Sequence, residues 1–350
     1  MMNKVIVIGV MSGTSLDGLD LCQCVFNKKD LSDFKILNSV TYEYPKKILN
    51  KLKNIFKKNS SEIDEIDVEY GVFIGKSVNR FISEYKINKV DLISSHGHTV
   101  FHQPENGKTL QIGSGKLIQK ITNLKTVNNF RTQDLSMSGQ GAPLVPIGDK
   151  ILFSKFKYCL NLGGFVNISI KSRNKIIAYD ICPLNTVLNF YSKKIGYNYD
   201  IDGKLSKKGK INYDLLNKLN SIRFYFNKYP KSLGIEFVNN KIFPLIDDFK
   251  IPVQDILATF VKHVAFQINQ NISDSKEVLV SGGGVFNKNL IHILKNDYNI
   301  NIHIPLKEII EFKEALIFGL LGVLRMENKI NCLKSVTGAK KDHCSGDIYY

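Results

Sequence analysis

The sequence predicts an α/β protein built from two similar domains that face one cleft. Three observations lead there. The chain opens with an apolar strand that breaks at a small-residue turn and resumes as a second strand. The same order of elements recurs in the second half. A buried strand near residue 280 ends in three glycines. At 350 residues the chain is long enough for two cores of ordinary size.

The opening stretch, VIVIGVMSGTSLDGLDL, begins as the β run Val5, Ile6, Val7, Ile8. It turns through Ser12, Gly13, Thr14, Ser15, Asp17 and Gly18, then continues apolar through Leu19, Leu21 and Cys22. This is a hairpin with small polar residues at its tip. Glycine lets backbone approach a ligand, and successive N–H groups in a tight turn make an anion site. The alternative is an ordinary hairpin turn. The Gly13 to Gly18 spacing begins like a Walker loop, but Leu19 and Asp20 stand where Lys and Ser/Thr belong. Asp17 is a carboxylate suited to a hydrated cation.

A third strand is expected near 34–44, followed by helical periodicity through PKKILNKLKNIFKK and IDEIDVEYGVFIGKSVNRFISEYK. A further strand runs into SSHGHTVFHQP, placing His96, His98 and His102 at its end. His96 and His98 alternate onto one face, but no third metal ligand follows at a sensible spacing, so sugar contacts rank above a metal. Residues 128–146 are polar and rich in Gly and Pro, and read as a connection between domains or a functional loop. Within it Arg131 is a rigid fork of donors suited to carboxylate or phosphate, or to a salt bridge with Asp134.

The second half repeats the order. YCLNLGGFVNISI is a hairpin with Gly163 and Gly164 at its tip, and KIIAYDICP is the next strand. Asp180 ends that strand before a helix, where a general base or a helix N-cap belongs. Helical stretches follow, then EVLVSGGGVFNKNL, whose Gly282, Gly283 and Gly284 permit close approach of a planar ligand or of the next helix. FKEALIFG sets Glu314 at the start of the last long helix, where it also compensates the macrodipole.

Composition narrows the partners. Hydrophobic content of 43% with 23% charged residues is that of an ordinary globular protein. No apolar run reaches the ~18–20 residues of a membrane span, and the N-terminal residues read as a strand rather than a cleavable signal. A cytoplasmic chain with no membrane partner is therefore expected. The net charge of +16 comes from scattered lysines, without an Arg-rich run or interleaved aromatics, so no nucleic-acid partner is expected. The six cysteines lack zinc spacing and are expected to be free thiols.

Three glycine turns aimed at one cleft resemble the actin, Hsp70 and sugar-kinase superfamily, which is ribonuclease H-like in each domain. More specifically, GVMSGTSLDG, SSHGHTVFHQP, Phe130-Arg131, GQGAPLVP, NLGGFVNIS, KEA at 313–315 and SVTGA at 335–339 occur together and in order. Over essentially the whole chain they resemble the anhydro-N-acetylmuramic acid kinases. The resemblance implies two duplicated actin-like α/β domains flanking a nucleotide cleft: 1–128, with a C-terminal helix and tail from about 310 to 350 packing back on it, and 129–309. It implies that ATP and Mg²⁺ are bound, that 1,6-anhydro-N-acetylmuramic acid is opened by water, and that the freed O6 is phosphorylated, as in recycling of cell-wall sugar. The catalytic base falls on Asp180. Nucleotide contacts fall on Gly13, Thr14, Ser15, Leu16, Asp17, Gly18, Leu19 and Asp20, on Gly163 and Gly164, and on Gly282, Gly283 and Gly284. Sugar contacts fall on His96, Arg131, Asn185 and Glu314, with Asp17 the magnesium ligand and a homodimer as the assembly.

The chemistry is coherent. A glycosidase ordinarily needs two carboxylates, one for water and one for the leaving oxygen. Here the leaving oxygen is capped by the transferred phosphoryl group, so one base suffices. The sequence departs from the commonest family pattern at Ile181, Cys182 and Leu184, where Thr, Gly and Gly are usual. It departs also at His98 (Gln), at Asn129 (Asp) and at Ile235 (Arg). Bulkier side chains beside Asp180 are expected to narrow or reshape the sugar pocket. Two alternatives stay open: a kinase for another amino sugar or anhydrosugar, and an inactive nucleotide-binding regulator of the same fold.

Overall fold

The computed structural model describes residues 3–13, 16–172, 175–274 and 276–350. They form two compact units, the first made of Met1–Ser154 and Phe312–Tyr350, the second of Lys155–Glu311.

In the first unit, β1 (Lys4–Ser12), β2 (Leu19–Asn27) and β3 (Asp30–Tyr42) form an antiparallel meander. On the other side of β1 lies β4 (Leu92–Gln103), parallel to it, followed by β6 (Thr126–Asn128), parallel to β4. A short strand, β5 (Lys108–Ile112), folds back antiparallel on the end of β4. Strand β1 is apolar from Val5 to Met11 because both of its faces are covered. Ile8 and Val10 meet Tyr70, Ile74, Val78 and Phe81 from the Ser60–Glu84 helix. That helix starts in a capping box between Asn59 and Glu62. Behind the sheet runs the Lys307–Met326 helix. It approaches so closely that a Cβ on Gly9 would lie 1.9 Å from the Ala315 carbonyl oxygen.

The second unit repeats the scheme with β7 (Tyr158–Leu162), β8 (Phe165–Lys171), β9 (Ile176–Pro183), β10 (Val278–Ser281) and β11 (Ile302–His303). Its order is β11-β10-β7-β8-β9, and the first unit contains β6-β4-β1-β2-β3. Each is a three-stranded meander extended by two parallel strands, so both units carry the duplicated, ribonuclease H-like order. The second core is filled by Leu160, Leu162, Val166 and Ile168 against Leu257, Phe260, Val261 and Val264 of the Val253–Asn269 helix.

The last strand, β12 (Asp347–Tyr349), pairs antiparallel with β6 and extends the first sheet. Two expectations are corrected here. The boundary set at residue 128 falls at 154. Residues 129–154 stay with the first unit because Gly148 lies against Ile317, buried Asp149 pairs with buried Lys313 at 2.7 Å, and Asn129 bonds Asp347. The segment expected to be irregular contains two short helices, Thr132–Ser136 and Val145–Leu152. The strand expected to carry His96, His98 and His102 toward its end is β4, which runs to Gln103 and pairs there with β5. The Lys307–Met326 helix departs from helical geometry at Phe312, where the chain re-enters the first unit. Among the described residues no helix is long and apolar enough to cross a membrane.

Candidate active site

In the first unit the hairpin tip follows Ser12. The Leu16 N–H donates to the Gly13 carbonyl at 3.3 Å, and Leu16 sits at φ 59. A bulky residue held in the left-handed region costs about 1–2 kcal/mol, and such strain tends to collect at functional turns. Thr14 and Ser15 lie outside the described residues. Asp17 is exposed at the tip, whereas Asp20 accepts from the Thr41 hydroxyl at 2.6 Å. The Leu19 side chain is in the core, and Leu19 lies in the sheet between Ser12 and Tyr42. Gly18 owes its identity to packing, since a Cβ would stand 2.5 Å from Thr41 Cγ2 and 2.8 Å from the Tyr42 carbonyl oxygen.

Behind this tip is a buried polar chain the sequence did not reveal. Ser12 Oγ lies 2.7 Å from the Tyr44 hydroxyl and 2.9 Å from His98 Nδ1, and Tyr44 reaches Tyr70 at 3.2 Å. Burial pushes His98 down to about 4, so it is neutral at physiological pH. His96 does not join it. Its Nδ1 meets the Gly97 carbonyl at 3.0 Å, which can only accept, so the hydrogen is on Nδ1. Its Nε2 accepts from Arg131 Nε at 3.1 Å and from Nη2 at 2.9 Å, and the ring rests on Phe318. Burial and then Arg131 hold His96 well below the ordinary histidine range.

Arg131 thus directs much of its fork inward, with Nη1 on the Gly141 carbonyl at 3.3 Å. Asp134, named as an alternative partner, instead accepts from Gly141 N and the Thr337 hydroxyl. Burial lowers Arg131 to about 10, opposed by Glu314. Glu314 keeps solvent access, yet surrounding protein raises its carboxyl above the ordinary range against the pull of Arg131 and Lys313. His96, Arg131 and Glu314 are therefore one electrostatic group.

In the second unit a single cross-strand row carries the polar chemistry. Ser281 pairs with Asn161, Asn161 with Asn167, and Asn167 with Asp180. Directly opposed residues share a face of a sheet, so the amides and the carboxylate project together, away from Leu160, Leu162, Val166 and Ile168. Asp180 is half-buried. Its Oδ2 accepts from the Leu233 N–H at 2.8 Å, and its own N–H donates to the Lys231 carbonyl at 3.1 Å. Burial raises its carboxyl above the usual value of 3.8, and the Leu233 bond opposes that. A cavity of about 660 Å³ lined by Tyr179, Asn220, Tyr225, Lys231 and Gln267 lies beside the same loop. Tyr179 packs toward the hydrophobic core, opposite in direction to Asp180.

The glycine turns of this unit gather around Asn161 and Leu162. Asn185 donates to the Leu162 carbonyl at 3.2 Å, and its N–H reaches the Gly163 carbonyl at 3.3 Å. Gly164 accepts from Leu184 N and the Thr186 hydroxyl. Gly282, at φ 82, abuts Asn161 and Leu162, where a Cβ would meet Asn161 Oδ1 at 2.5 Å. Gly284 has the same constraint against Leu162 and Leu184, whereas Gly283 is open, with only Asn185 Nδ2 within 4 Å of a Cβ.

The departures beside Asp180 do not narrow a pocket. The register shifts between Val166 and Asn167, so Ile181 is the extra residue of a bulge. Ile181, Cys182 and Leu184 are all buried in the hydrophobic core of the unit. Asn129 suits its place as well: at φ 56 it donates to the Asp347 carboxylate at 2.8 Å, where an aspartate would be repelled. Ile235 begins a short helix and is exposed.

The family model described as anhydro-N-acetylmuramic acid kinase matches residues 5–350. The anhydro-N-acetylmuramic acid kinase of Mannheimia succiniciproducens is 32% identical over 376 residues, spanning 99% of this chain and 100% of the relative. That of Pasteurella multocida is 33% identical over 374 residues, spanning 98% and 96%. Among solved structures, a ROK family glucokinase from Streptomyces griseus in complex with glucose and AMPPNP is 11% identical, with a TM-score of 0.42 over 91% of this chain and 99% of the other. With the family model running from the first strand to the last residue, and full-length relatives above 30% identity, the chain belongs to the anhydro-N-acetylmuramic acid kinase family.

Proposed function

We propose that this chain is an ATP-dependent kinase that opens 1,6-anhydro-N-acetylmuramic acid with water and phosphorylates O6, giving N-acetylmuramic acid 6-phosphate. The observation that carries the reading is the setting of Asp180. Among the described residues one N–H holds its Oδ2, so Oδ1 is left to take a proton. Its raised affinity for that proton suits a general base. Asn167 lies opposite it and Asn161 follows in the same row, on the same face and without adding charge.

Asp180 removes a proton from the water that attacks the anomeric carbon. The ring-opening oxygen becomes O6 and receives the phosphoryl group, so a second carboxylic acid is not required. Gly13 to Asp20, including Thr14 and Ser15, and the turns at Gly163, Gly164 and Gly282 to Gly284 are the nucleotide contacts. Asp17, an exposed carboxylate beside that tip, fits a hard cation that keeps several waters. Mg²⁺ bound there with the triphosphate supplies charge neutralisation for phosphoryl transfer. Glu314 is the accessible member of the His96–Arg131–Glu314 group and orients sugar hydroxyls. Asn185 is a further sugar contact, and His96 acts by fixing Arg131.

The test is incubation of the chain with ATP and the anhydrosugar, with products read by mass spectrometry. A 6-phosphate bearing one added water is expected. Phosphate on another sugar only, or ATP binding without a phosphorylated sugar, would overturn the assignment.

A further inference from the structure

The first unit carries another cluster of reactive side chains. Asp134, Cys332 and His343 are buried, and a carboxylate oxygen, a sulfur and an imidazole nitrogen from them lie within 4.8 Å of one another. His343 Nδ1 is 3.2 Å from the Lys341 carbonyl, which can only accept, so that nitrogen carries the hydrogen. His343 Nε2 then presents a lone pair. It faces Asp134 Oδ1 at 3.5 Å and has no hydrogen-bond partner among the described residues. Two lone pairs turned toward each other in a buried place repel unless positive charge lies between them. A proton would satisfy two atoms. The convergence of a third, soft donor indicates a larger cation.

The carboxylate is already aimed. The Thr337 hydroxyl donates to Oδ1 at 2.8 Å and Gly141 N to Oδ2 at 2.7 Å, an outer shell of the kind that orients metal ligands. Charge also balances: one carboxylate, one thiolate and a neutral imidazole cancel a divalent ion, leaving a neutral buried site.

We infer that Asp134, Cys332 and His343 bind one divalent transition-metal ion, with zinc the ion this oxygen, sulfur and nitrogen set suits best. On binding, the Cys332 thiol gives its proton to solvent and the sulfur bonds the metal. An exogenous ligand such as water completes four-coordination. The site joins residues 332–345 to the loop bearing Arg131, whose neighbour Phe130 accepts from the Ser345 hydroxyl at 2.7 Å. It is thus a structural clasp, separate from any magnesium at Asp17.

The experiment uses the full chain purified without chelator. Metal content is measured by mass spectrometry, then cobalt is substituted and the visible and near-ultraviolet spectrum recorded. One equivalent of zinc per chain is expected, with a thiolate-to-cobalt charge-transfer band and a melting temperature that chelator lowers and zinc restores. The band is lost in Cys332→Ser and in His343→Gln, and is kept in Cys344→Ser and Cys24→Ser. Should the ligand variants fail to fold, thiol titration of the intact chain decides: zinc must protect one more cysteine than the stripped protein does. Absence of metal, of the band and of any zinc-dependent melting shift would overturn the inference and leave a proton between His343 and Asp134. So would a band that survives in Cys332→Ser.

Discussion

The two units share a strand order but hold their polar groups in opposite ways. In the first, the chemistry is assembled from distant segments: Ser12 with His98 and Tyr44, His96 with Arg131, and Arg131 with Glu314. In the second, it lies along one row, Ser281, Asn161, Asn167 and Asp180, with the glycine turns at the row's end. A duplicated sheet therefore fixes where functional groups are presented and leaves their nature open. The first unit keeps His96 and His98 neutral by burial and turns Arg131 inward onto His96. The second isolates one carboxylate among amides.

That contrast is broken most severely at Asp180. Asp180→Asn should lower kcat by about 10²–10⁴-fold, the usual contribution of a general base, while nucleotide affinity measured by calorimetry stays near wild type. Appreciable turnover would remove the residue from the reaction. Next is Ile181→Ala, which should cost about 2–5 kcal/mol of stability with no change in KM for the sugar. A shifted KM would return that side chain to the pocket. In the first unit, Gly9→Ala forces a Cβ into the Ala315 carbonyl and should cost about 1–3 kcal/mol, read by chemical denaturation. An unperturbed midpoint would mean the helix does not pack on β1 as described.

The smallest effect concerns protons. Asp180 has a folded-state pKa above its ordinary 3.8, so the native chain binds that proton more tightly than the unfolded one. Stability falls as pH rises through the raised pKa, and the penalty is fully present above it. Melting curves of Asp180→Asn should match wild type below 3.8 and lie at or above it near neutrality. The acid limb of wild-type kcat should correspondingly sit above 3.8. A variant less stable only at neutral pH would contradict the sign.

Local signals carried the reading of the sequence. Apolar runs broken by Gly and Ser showed both hairpins, and the recurrence of their order showed the duplication. Asp180 was visible because a carboxylate interrupts an apolar strand just before a helix, although the strand itself runs on to Pro183. What stayed hidden depends on register or distance. The faces of Ile181, Cys182 and Leu184 follow from one bulged residue, and a slip of one position exchanges core and surface. The inward turn of Arg131 rests on His96, and the Asp134, Cys332 and His343 cluster joins segments on either side of the inserted second unit. No ligand spacing could show it. The boundary at 154 was hidden for the same reason, since contacts with residues 313–317 keep the preceding helix in the first unit.

Because the second unit is inserted between Ser154 and Phe312, the chain's biosynthesis has an order imposed on it. Residues 155–311 leave the ribosome as a complete segment and can fold at once, in keeping with domain-wise folding during synthesis. The earlier segment must wait for the Lys307–Met326 helix and for β12, the final strand of its sheet. A nonsense mutation near the C-terminus would therefore injure the half of the protein translated first.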